Sequence, residues 1–561
     1  MRVCPWSAVV LAILPSLGWT APPEIRSTVP AGLQRGVETQ LTLYGPGFGP
    51  GMELVVPFAA AIKVTSVSSE VATFAVKPAN HVPVGIFPIR VRTADGVSNM
   101  LLLAVHDLPR VVEVEPNDRP YEAQRIAWPC MITGALGGRG APHPSKDVDT
   151  YKFTVKAGQR LTFVSETRRV GLAPDLALRL RDPKGRELAF CDDVPGLGVE
   201  PRLDYTFKEA GDYTVEVHFS HFSYSGRNHN YLLKIGAFNY ARSVFPLGGK
   251  RGENVNVTVT DRDEKPSTLQ TRVTADPRAE QWLLPLDDFP GSLPWRMAVG
   301  DLPEVMEDAD RTGPQVIEWP AIVNGRIAKP DEMDRYRLRV KPGQQIRISA
   351  DAFYHGSALD GVLRVYDPAG KMLAANDNRN GRMNPDPLVD FIVPDGVNEV
   401  SVNLEDGFGR GGADYPYRMT IEPGGPDFEL FTGTERPRTG WPENDAVNLP
   451  LGEPVKLAVR VVRRGYQGAI LLKALNVPSG VTIPPGIIPE GEASAELTFT
   501  ANAQAPASLF EIGLVGVAQV DGKTVTRQVV RHIHIAEPSM TNMRWDWRLT
   551  RFICAKVEGV R

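Results

Sequence analysis

Apolar and polar residues alternate along much of this chain with a period of two. Tyr151, Phe153 and Val155 are separated by Lys152, Thr154 and Lys156, so one face of that segment meets a core and the other meets water. Thr214-Val-Glu-Val-His-Phe219 and Val455-Lys-Leu-Ala-Val-Arg-Val461 follow the same rule. Between such segments stand turn sequences. Asp182-Pro-Lys-Gly185 and Asp367-Pro-Ala-Gly370 each place a proline where φ is preset and a glycine where φ must turn positive. The 49 Pro and 52 Gly are spread over the whole length, and few stretches hold a helical period. Short strands at intervals of roughly ten residues predict an all-β chain of tandem β-sandwich domains.

At 561 residues the chain is too long for one core, and its size suggests three to five domains. Internal repeats divide it further. Lys156-Ala-Gly-Gln-Arg-Leu161 returns 185 positions later as Lys341-Pro-Gly-Gln-Gln-Ile346. At the same offset Asp149-Thr-Tyr-Lys-Phe153 returns as Asp334-Arg-Tyr-Arg-Leu338, and Leu178-Arg-Leu-Arg-Asp-Pro-Lys-Gly185 as Leu363-Arg-Val-Tyr-Asp-Pro-Ala-Gly370. Trp128-Pro129 with Gly134 matches Trp319-Pro320 with Gly325. A second repeat precedes each copy: Ser27, Pro30, Gly32, Arg35-Gly36 and Thr42 reappear at Ser243, Pro246, Gly248, Arg251-Gly252 and Thr258. Asp107-Leu-Pro109 and Asp301-Leu-Pro303 close the two linkers. The ancestral unit is therefore a small domain followed by a larger one, duplicated as a pair, with the second small domain shortened.

The first residues have the form of an export signal. Arg2 provides the positive start and Ala8-Val-Val-Leu-Ala-Ile-Leu14 an apolar run too short to span a bilayer. Cleavage fits after Ala21 or after Gly18, and no later apolar run approaches eighteen residues. A formal net charge of −4, with both signs mixed throughout, leaves no basic patch for nucleic acid. Beyond the signal only Cys130, Cys191 and Cys554 remain, too few for a disulfide scaffold. Cys130 and Cys191 both lie in the first larger repeat, and their counterparts Ala321 and Asn376 are both different residues. A disulfide gained or lost as a unit leaves that pattern, and two independent buried thiols leave it too; bridging needs Cα atoms within reach.

The larger repeat resembles the bacterial pre-peptidase C-terminal (PPC) domain, a jelly-roll-like β-sandwich. The residues that carry the resemblance are Glu113-Val-Glu-Pro-Asn-Asp118, Gly134, Asp149-x-Tyr151-x-Phe153, Ala157-Gly-Gln159, Asp175, Asp182-Pro-x-Gly185, Asp192-Asp193 and Gly211-Asp-Tyr213. The smaller repeat is similar to IPT/TIG-type Ig-like domains in its opening, Pro30-Ala-Gly32-Leu-Gln-Arg-Gly36. Leu475-Asn-Val-Pro-Ser-Gly-Val481 with Ala495-Glu-Leu-Thr-Phe499 is similar to bacterial Ig-like modules. These readings give a signal at 1–21, an IPT/TIG-like domain at 22–107, a PPC-like copy at 108–237 and a shortened Ig-like domain at 238–300. A second PPC-like copy at 301–423, an Ig-like sandwich at 424–537 and a tail at 538–561 follow. Arg544-Trp-Asp-Trp-Arg-Leu-Thr-Arg551 has no domain-sized remainder after it, which fits a short tail or a fragment of a longer protein.

The PPC resemblance implies a calcium site in the first copy, built from Glu113, Glu115, Asn117 and Asp118 with Asp147 and Asp149 before the next strand. Ca2+ takes six to eight hard oxygens, and carboxylates gathered together repel unless a cation neutralises them. No His or Cys stands among them, so zinc fits badly. A solvated acidic linker, with Asn-Asp capping a turn, is the competing reading. In the second copy Glu307-Asp-Ala-Asp-Arg-Thr312 replaces Glu115, Asn117 and Asp118 by Ala309, Arg311 and Thr312, and Arg311 is expected to bring a positive charge into the site. Calcium is therefore expected in the first copy alone.

Other constellations carry less. His218 and His221 have opposite parity on a strand, so with His229 they do not converge; His532 and His534 share a face without a third ligand. Asp192-Asp193 and Asp377-Asn378 suit turns better than paired catalytic carboxylates. No nucleophile elbow, zinc-protease helix, Walker loop or dinucleotide glycine pattern occurs. Phe219, Phe222, Tyr224 and Tyr354 can stack on sugars or a protein partner if exposed, and otherwise finish a core. The expected function is a non-catalytic binding or structural protein, monomeric and exported, with a protein or glycan ligand at the cell surface and no integral membrane segment. The rival expectation is the accessory region of a secreted hydrolase, a peptidase first among them.

Overall fold

The computed structural model describes residues 21–137, 147–172, 174–194, 196–198, 200–220, 229–277, 279–379, 385–433, 445–534, 546–549 and 552–557. The export-signal segment, His221, Phe222 and Tyr224 lie outside them, as do the side chains of His532 and His534. Among the described residues strands dominate every part, broken by turns and by the single-turn 3-10 helices Arg168–Val170 and Phe353–His355. The all-β expectation holds.

Five sandwiches follow one another. In the first, a sheet of Ser27–Val29, Thr39–Tyr44, Val71–Pro78 and Ala60–Val67 packs on one of Gly32–Gln34, Leu101–His106, Gly85–Thr93 and Glu53–Val55. Leu41, Leu43 and Phe74 from one sheet meet Leu33, Ile89, Val91 and Leu103 from the other. The third sandwich is the same idea cut down to three strands a side, with Ala241–Phe245, Asn254–Asp261 and Pro266–Arg272 facing Gly248–Lys250, Trp295–Gly300 and Gln281–Leu284. In both, the strand after the repeated proline runs parallel to the last strand, Gly32 beside Ala104 and Gly248 beside Ala298. The repeated arginine then pairs with the linker aspartate, Arg35 with Asp107 at 3.5 Å and Arg251 with Asp301 at 2.7 Å.

The second and fourth sandwiches have five strands a side in the same order. The first sheet of the second sandwich runs Arg110–Val112, Cys130–Ala135, Asn230–Gly236, Arg160–Ser165, Arg202–Thr206. The second runs Gln124–Arg125, Asp149–Val155, Gly211–Phe219, Leu176–Arg181, Glu187–Cys191. In the fourth the order is Glu304–Met306, Ala321–Arg326, Pro416–Pro423, Gln345–Asp351, Leu388–Ile392 against Gln315–Ile317, Met333–Arg339, Glu399–Asp406, Gly361–Tyr366, Met372–Asn376. Even the irregularity before the Asp-Pro-x-Gly turn is shared, with register shifts at Leu180/Arg181 and Val365/Tyr366. The turn itself works as its residues demand: Gly185 and Gly370 adopt φ of 80° and 84°, and the Asp182 and Asp367 carboxylates accept N–H groups across the turn. Tyr151, Phe153 and Val155 point inward while Lys152 and Thr154 do not, as the alternation requires.

Outer faces are covered as well. Met131, Val164 and Leu232 lie on the side of the second sandwich away from its core, and Ala31 and Ala104 of the first sandwich bury them. Lys234, on the same face, pairs with Glu166 at 2.5 Å with both side chains sealed from solvent.

The last sandwich corrects the expected tail. Phe552–Val557 runs parallel to Val447–Pro450 and antiparallel to the start of Phe510–Val520. Phe552 and Cys554 are fully buried with Phe428, Leu430, Leu472 and Phe499. Asp546–Leu549 pairs with the end of Lys523–His534. A six-residue segment cannot bury an apolar face alone, so by itself it resembles a tail; the vacancy in the sandwich gives that face somewhere to go. The bridge weighed between Cys130 and Cys191 is not formed, and Cys130, Cys191 and Cys554 are all free thiols. Cys130 opens an inner strand of one sheet and Cys191 ends the edge strand of the other, where its thiol lies 3.6 Å from the Asp193 carbonyl.

Candidate metal centre

The acidic segment Glu113–Asp118 leaves the edge strand Arg110–Val112 and is pinned to both sheets. Glu113 N–H donates to the Thr133 carbonyl at 3.1 Å, and Thr150 N–H donates to the Asn117 carbonyl at 3.0 Å. Gln124 holds the segment from outside, accepting from Val114 N–H and donating to the Val112 carbonyl, both at 2.8 Å. The chain is thus folded back over the start of Asp149–Val155, where the other carboxylates emerge.

All six residues singled out in the sequence converge there. One carboxylate oxygen each from Glu113, Glu115 and Asp149 lie within 4.8 Å of one another. Asn117 approaches Glu113 through its Nδ2 at 3.4 Å, and Asn117 N–H donates to Glu115 at 3.0 Å. Asp147 neighbours Asp118 and Glu115. Asp118 accepts from Val148 N–H at 3.4 Å. Asn117, Asp147 and Asp149 are 0%, 2% and 0% exposed, which excludes a solvated linker as the description of this corner.

Burial and mutual repulsion act together on these groups. Burial pushes the Asp147 carboxyl up to about 7, with Asp118 and Glu115 adding to the effect. Burial, then the neighbouring Glu113, raises Asp149 well above the usual carboxylate range. Glu115 is raised by burial and by the charges of Glu113 and Asp118. Asn117 Oδ1, Asp147 Oδ1 and Asp149 Oδ1 are buried and receive no N–H or hydroxyl donor, and what stands in hydrogen-bonding reach of the two aspartates is acidic, Asp118 beside Asp147 and Glu113 beside Asp149. An orphaned buried acceptor costs about 1–3 kcal/mol, a cost that either a proton shared between neighbouring acids or a bound cation would offset. The donor set is all oxygen, rich in charge and built partly on a loop, which suits a hard cation of calcium's size.

One residue completes the site that the sequence pattern had not singled out, and a repeated glycine admits it. Tyr231 donates its hydroxyl to Asp149 Oδ2 at 2.5 Å and shares a hydrogen bond with the Tyr151 hydroxyl, so Asp149 presents only Oδ1 to the cluster. Gly134 makes room for this ring: a Cβ there would stand 2.4 Å from the Tyr231 hydroxyl oxygen. The repeated Gly134 and Gly325 were the available signal, since a glycine inside a strand marks a close approach.

The fourth sandwich keeps the frame and changes the contents. Gln315 clasps Asp308 N–H and the Met306 carbonyl, Tyr417 donates to Asp334 Oδ2 at 2.6 Å, and Glu307 accepts from Arg326 N–H at 2.7 Å as Glu113 does from Ala135 N–H at 2.8 Å. The carboxylate opposite Asp147 is Glu332, which turns away to accept N–H groups from Ala328 and Lys329. Arg311 corrects an expectation, for it lies exposed 4.0 Å from Asp308 instead of entering the site. The charge that reaches Glu307 comes from Arg326, where the second sandwich has Ala135.

The remaining constellations resolve as structure. Phe219 is buried in the core of the second sandwich. His218 donates through Nδ1 to the Phe219 carbonyl at 2.9 Å, and His229 through Nδ1 to the Leu136 carbonyl at 3.1 Å; burial lowers both imidazoles. Asp192 receives Asp193 N–H at 2.9 Å in a turn.

Comparison with known proteins places one of these units. The family model of the bacterial pre-peptidase C-terminal domain matches residues 147–218. A probable subtilase-type serine protease of Deinococcus radiodurans is 34% identical over 119 residues, which is 21% of this chain and 16% of that protein. The chain therefore spans about a sixth of the length of that relative. Among solved structures, the pre-peptidase C-terminal domain of collagenase from Bacillus anthracis is 22% identical, covering 21% of this chain and 97% of that one, with a TM-score of 0.16. The M60 catalytic domain with the CBM51-1 and CBM51-2 domains of Clostridium perfringens ZmpB is 11% identical over 72% of this chain and 55% of that one, with a TM-score of 0.14. Within an all-β chain of tandem sandwiches, residues 147–218 are thus similar to the bacterial pre-peptidase C-terminal domain.

Proposed function

We propose that this is an exported, non-catalytic binding and structural protein in which calcium stiffens the junction between the first linker and the second sandwich. The observation that carries the reading is the set of three orphaned, buried oxygens among Glu113, Glu115, Asn117, Asp118, Asp147 and Asp149. A bound Ca2+ would take Glu113, Glu115 and Asp149 as its carboxylates, with Asn117 and Asp147 completing the shell and Asp118 steadying the loop. Neutralised, the segment is fixed to the strand Asp149–Val155 and sets the angle at which the first sandwich meets the second. The fourth sandwich is a second PPC copy without the site, and the first and third are IPT/TIG-like. The modules present protein or glycan ligands from the loops at their ends. No helix among the described residues is long and apolar enough to cross a membrane. The match to a subtilase-type protease supports a second reading, in which the chain is an accessory region working beside a secreted peptidase.

The test is thermal unfolding of the full chain in EDTA and in millimolar Ca2+, beside a Glu115→Gln/Asp118→Asn variant. Saturation at a hundred times Kd is worth about 2.7 kcal/mol, a shift of several degrees in the transition of one sandwich. The wild type should show it and the variant should not. An equal response in both, or none in the wild type, overturns the calcium reading.

A further inference from the structure

The first and last sandwiches, separated in sequence by three others, touch. Arg90 lies on strand Gly85–Thr93 of the first, and its guanidinium is closed off from solvent with 7% of the side chain exposed. An arginine cannot shed its charge on burial, so it requires a carboxylate. The carboxylate is Asp445 of the last sandwich, itself 3% exposed, which takes both terminal nitrogens of Arg90 in a fork. Arg90 also donates to the Ser98 carbonyl at 2.9 Å, and Asp445 accepts Met100 N–H at 2.8 Å. Beside this pair, the Asn448 side chain reads the backbone of Val97 in both directions, accepting its N–H at 2.7 Å and donating to its carbonyl at 3.0 Å. That is the pairing a neighbouring strand would make, supplied by an amide. Gly96 permits it, because a Cβ there would stand 2.4 Å from Asn448 Oδ1.

Residues 96–100 are all buried, and Gly96–Val97 lies against Val447–Pro450 and Phe552–Val557. Every polar group named at this contact has its partner on the other sandwich or within its own loop. Such complementarity is that of a specific interface, with a desolvated bidentate ion pair at its centre and an amide fixing the register.

We propose that this contact is a clasp: the last sandwich, completed by strand Phe552–Val557, is the in-cis partner of the Gly85–Met100 face and closes the five sandwiches into one ring-like body. The protein is then a closed frame that holds its modules at fixed angles, not a string that extends between two attachments. The inference is independent of calcium and of the metal centre, so the two fail separately.

Hydrogen exchange by mass spectrometry and small-angle scattering on the full chain test it, with Asp445→Ala to remove the fork and Asn448→Ala to loosen the register while keeping the ion pair. Losing one partner of a buried pair costs about 3–5 kcal/mol, so protection across 85–100 should fall by at least about a hundredfold in Asp445→Ala, and less in Asn448→Ala. The radius of gyration should grow, while peptides 39–44 and 455–461 stay protected and show that both sandwiches remain folded. Unchanged protection and radius in Asp445→Ala overturn the clasp. Protection of 85–100 that depends on protein concentration, with a sedimenting dimer, overturns the in-cis assignment in favour of a second copy of the chain.

Discussion

In both five-plus-five sandwiches a tyrosine hydroxyl reaches a buried aspartate across the glycine that admits its ring: Tyr231 to Asp149 over Gly134, Tyr417 to Asp334 over Gly325. Beside the second of these aspartates stands Glu307, in hydrogen-bonding contact with it, with Glu332 farther off and Arg326 acting on Glu307. Around the first stand Glu113, Glu115, Asp118 and Asp147, with alanine in the place of the arginine. One frame therefore meets the cost of a buried carboxylate in two ways. At Asp334 the charge is removed: burial first, then Glu307, push that carboxyl up to about 8, so a proton sits between the two acids at neutral pH. At Asp149 the same contact with Glu113 raises the carboxyl, but Glu115, Asp118 and Asp147 crowd the same corner and add their own charge. The lesson is that an inherited scaffold preserves the position of a buried charge more strictly than the means of compensating it.

The largest expected effect separates the two directly. In EDTA the peptides spanning 110–118 and 147–155 should exchange amide hydrogens on the order of tenfold to a hundredfold faster than in millimolar Ca2+, following the ligand linkage already given, while peptides 304–312 and 333–339 stay unchanged. Equal responses in both sandwiches would mean that the two sites do not differ in cation binding.

Next in size is the pH dependence of the fourth sandwich. The folded-state carboxyl of Asp334 lies near 8 and its ordinary value is 3.8, so the folded form binds the extra proton in between. Its stabilising contribution is complete below about pH 4 and is lost as pH rises towards 8, with a slope of up to about 1.4 kcal/mol per pH unit for one proton. Urea titrations from pH 5 to 9, followed by exchange in 333–339, should show the decline, and Asp334→Asn should flatten it. In Ca2+ the second sandwich should slope the other way, because acid competes with the cation for its ligands. A fourth sandwich indifferent to pH would mean that no proton is shared.

Removing the tyrosine hydroxyls probes what the two sites have in common. Tyr231→Phe and Tyr417→Phe should each destabilise their own sandwich by about 1–2 kcal/mol, measured by denaturant midpoint, since each removes a hydroxyl donor from a buried carboxyl oxygen. Only Tyr231→Phe should also weaken the calcium response, because only there does the hydroxyl orient a ligand. The smallest effect is expected from transplantation. Ala309→Glu, Arg311→Asn, Thr312→Asp and Arg326→Ala together should confer a measurable calcium shift of about 1 kcal/mol or less on the fourth sandwich, detectable by calorimetry, since Glu332 still points elsewhere.

The fold class was legible because period-two alternation and Asp-Pro-x-Gly turns are local. Tyr151, Phe153 and Val155 face the core for the reason their spacing gives, and Gly185 takes the positive φ its turn requires. The six site residues were legible as a set through the motif, yet their geometry was not, since Glu113 follows a strand of one sheet and Asp149 opens a strand of the other, and only the packing of the two sheets sets their distance. Phe552 and Cys554 were missed as core because a short apolar segment has no meaning until a partner sheet lacks a strand. Arg311 was misplaced for a similar reason: alignment gives a position in the chain, whereas the direction of a long side chain depends on what surrounds it.

By itself the amino-acid order determined that this protein is a succession of β-sandwiches, two of them built on one repeated pattern, with an acidic cluster in one and not in the other. Those properties depend on residues within a few positions of each other, where backbone geometry alone ties spacing to direction. Only the tertiary structure decided which carboxylates share a proton, which are left unsatisfied, and that Arg90 finds its counter-charge 355 residues away at Asp445. Desolvation is the reason: the cost of a buried charge and the identity of its partner are set by what packs around it in space, and sequence separation places no limit on that.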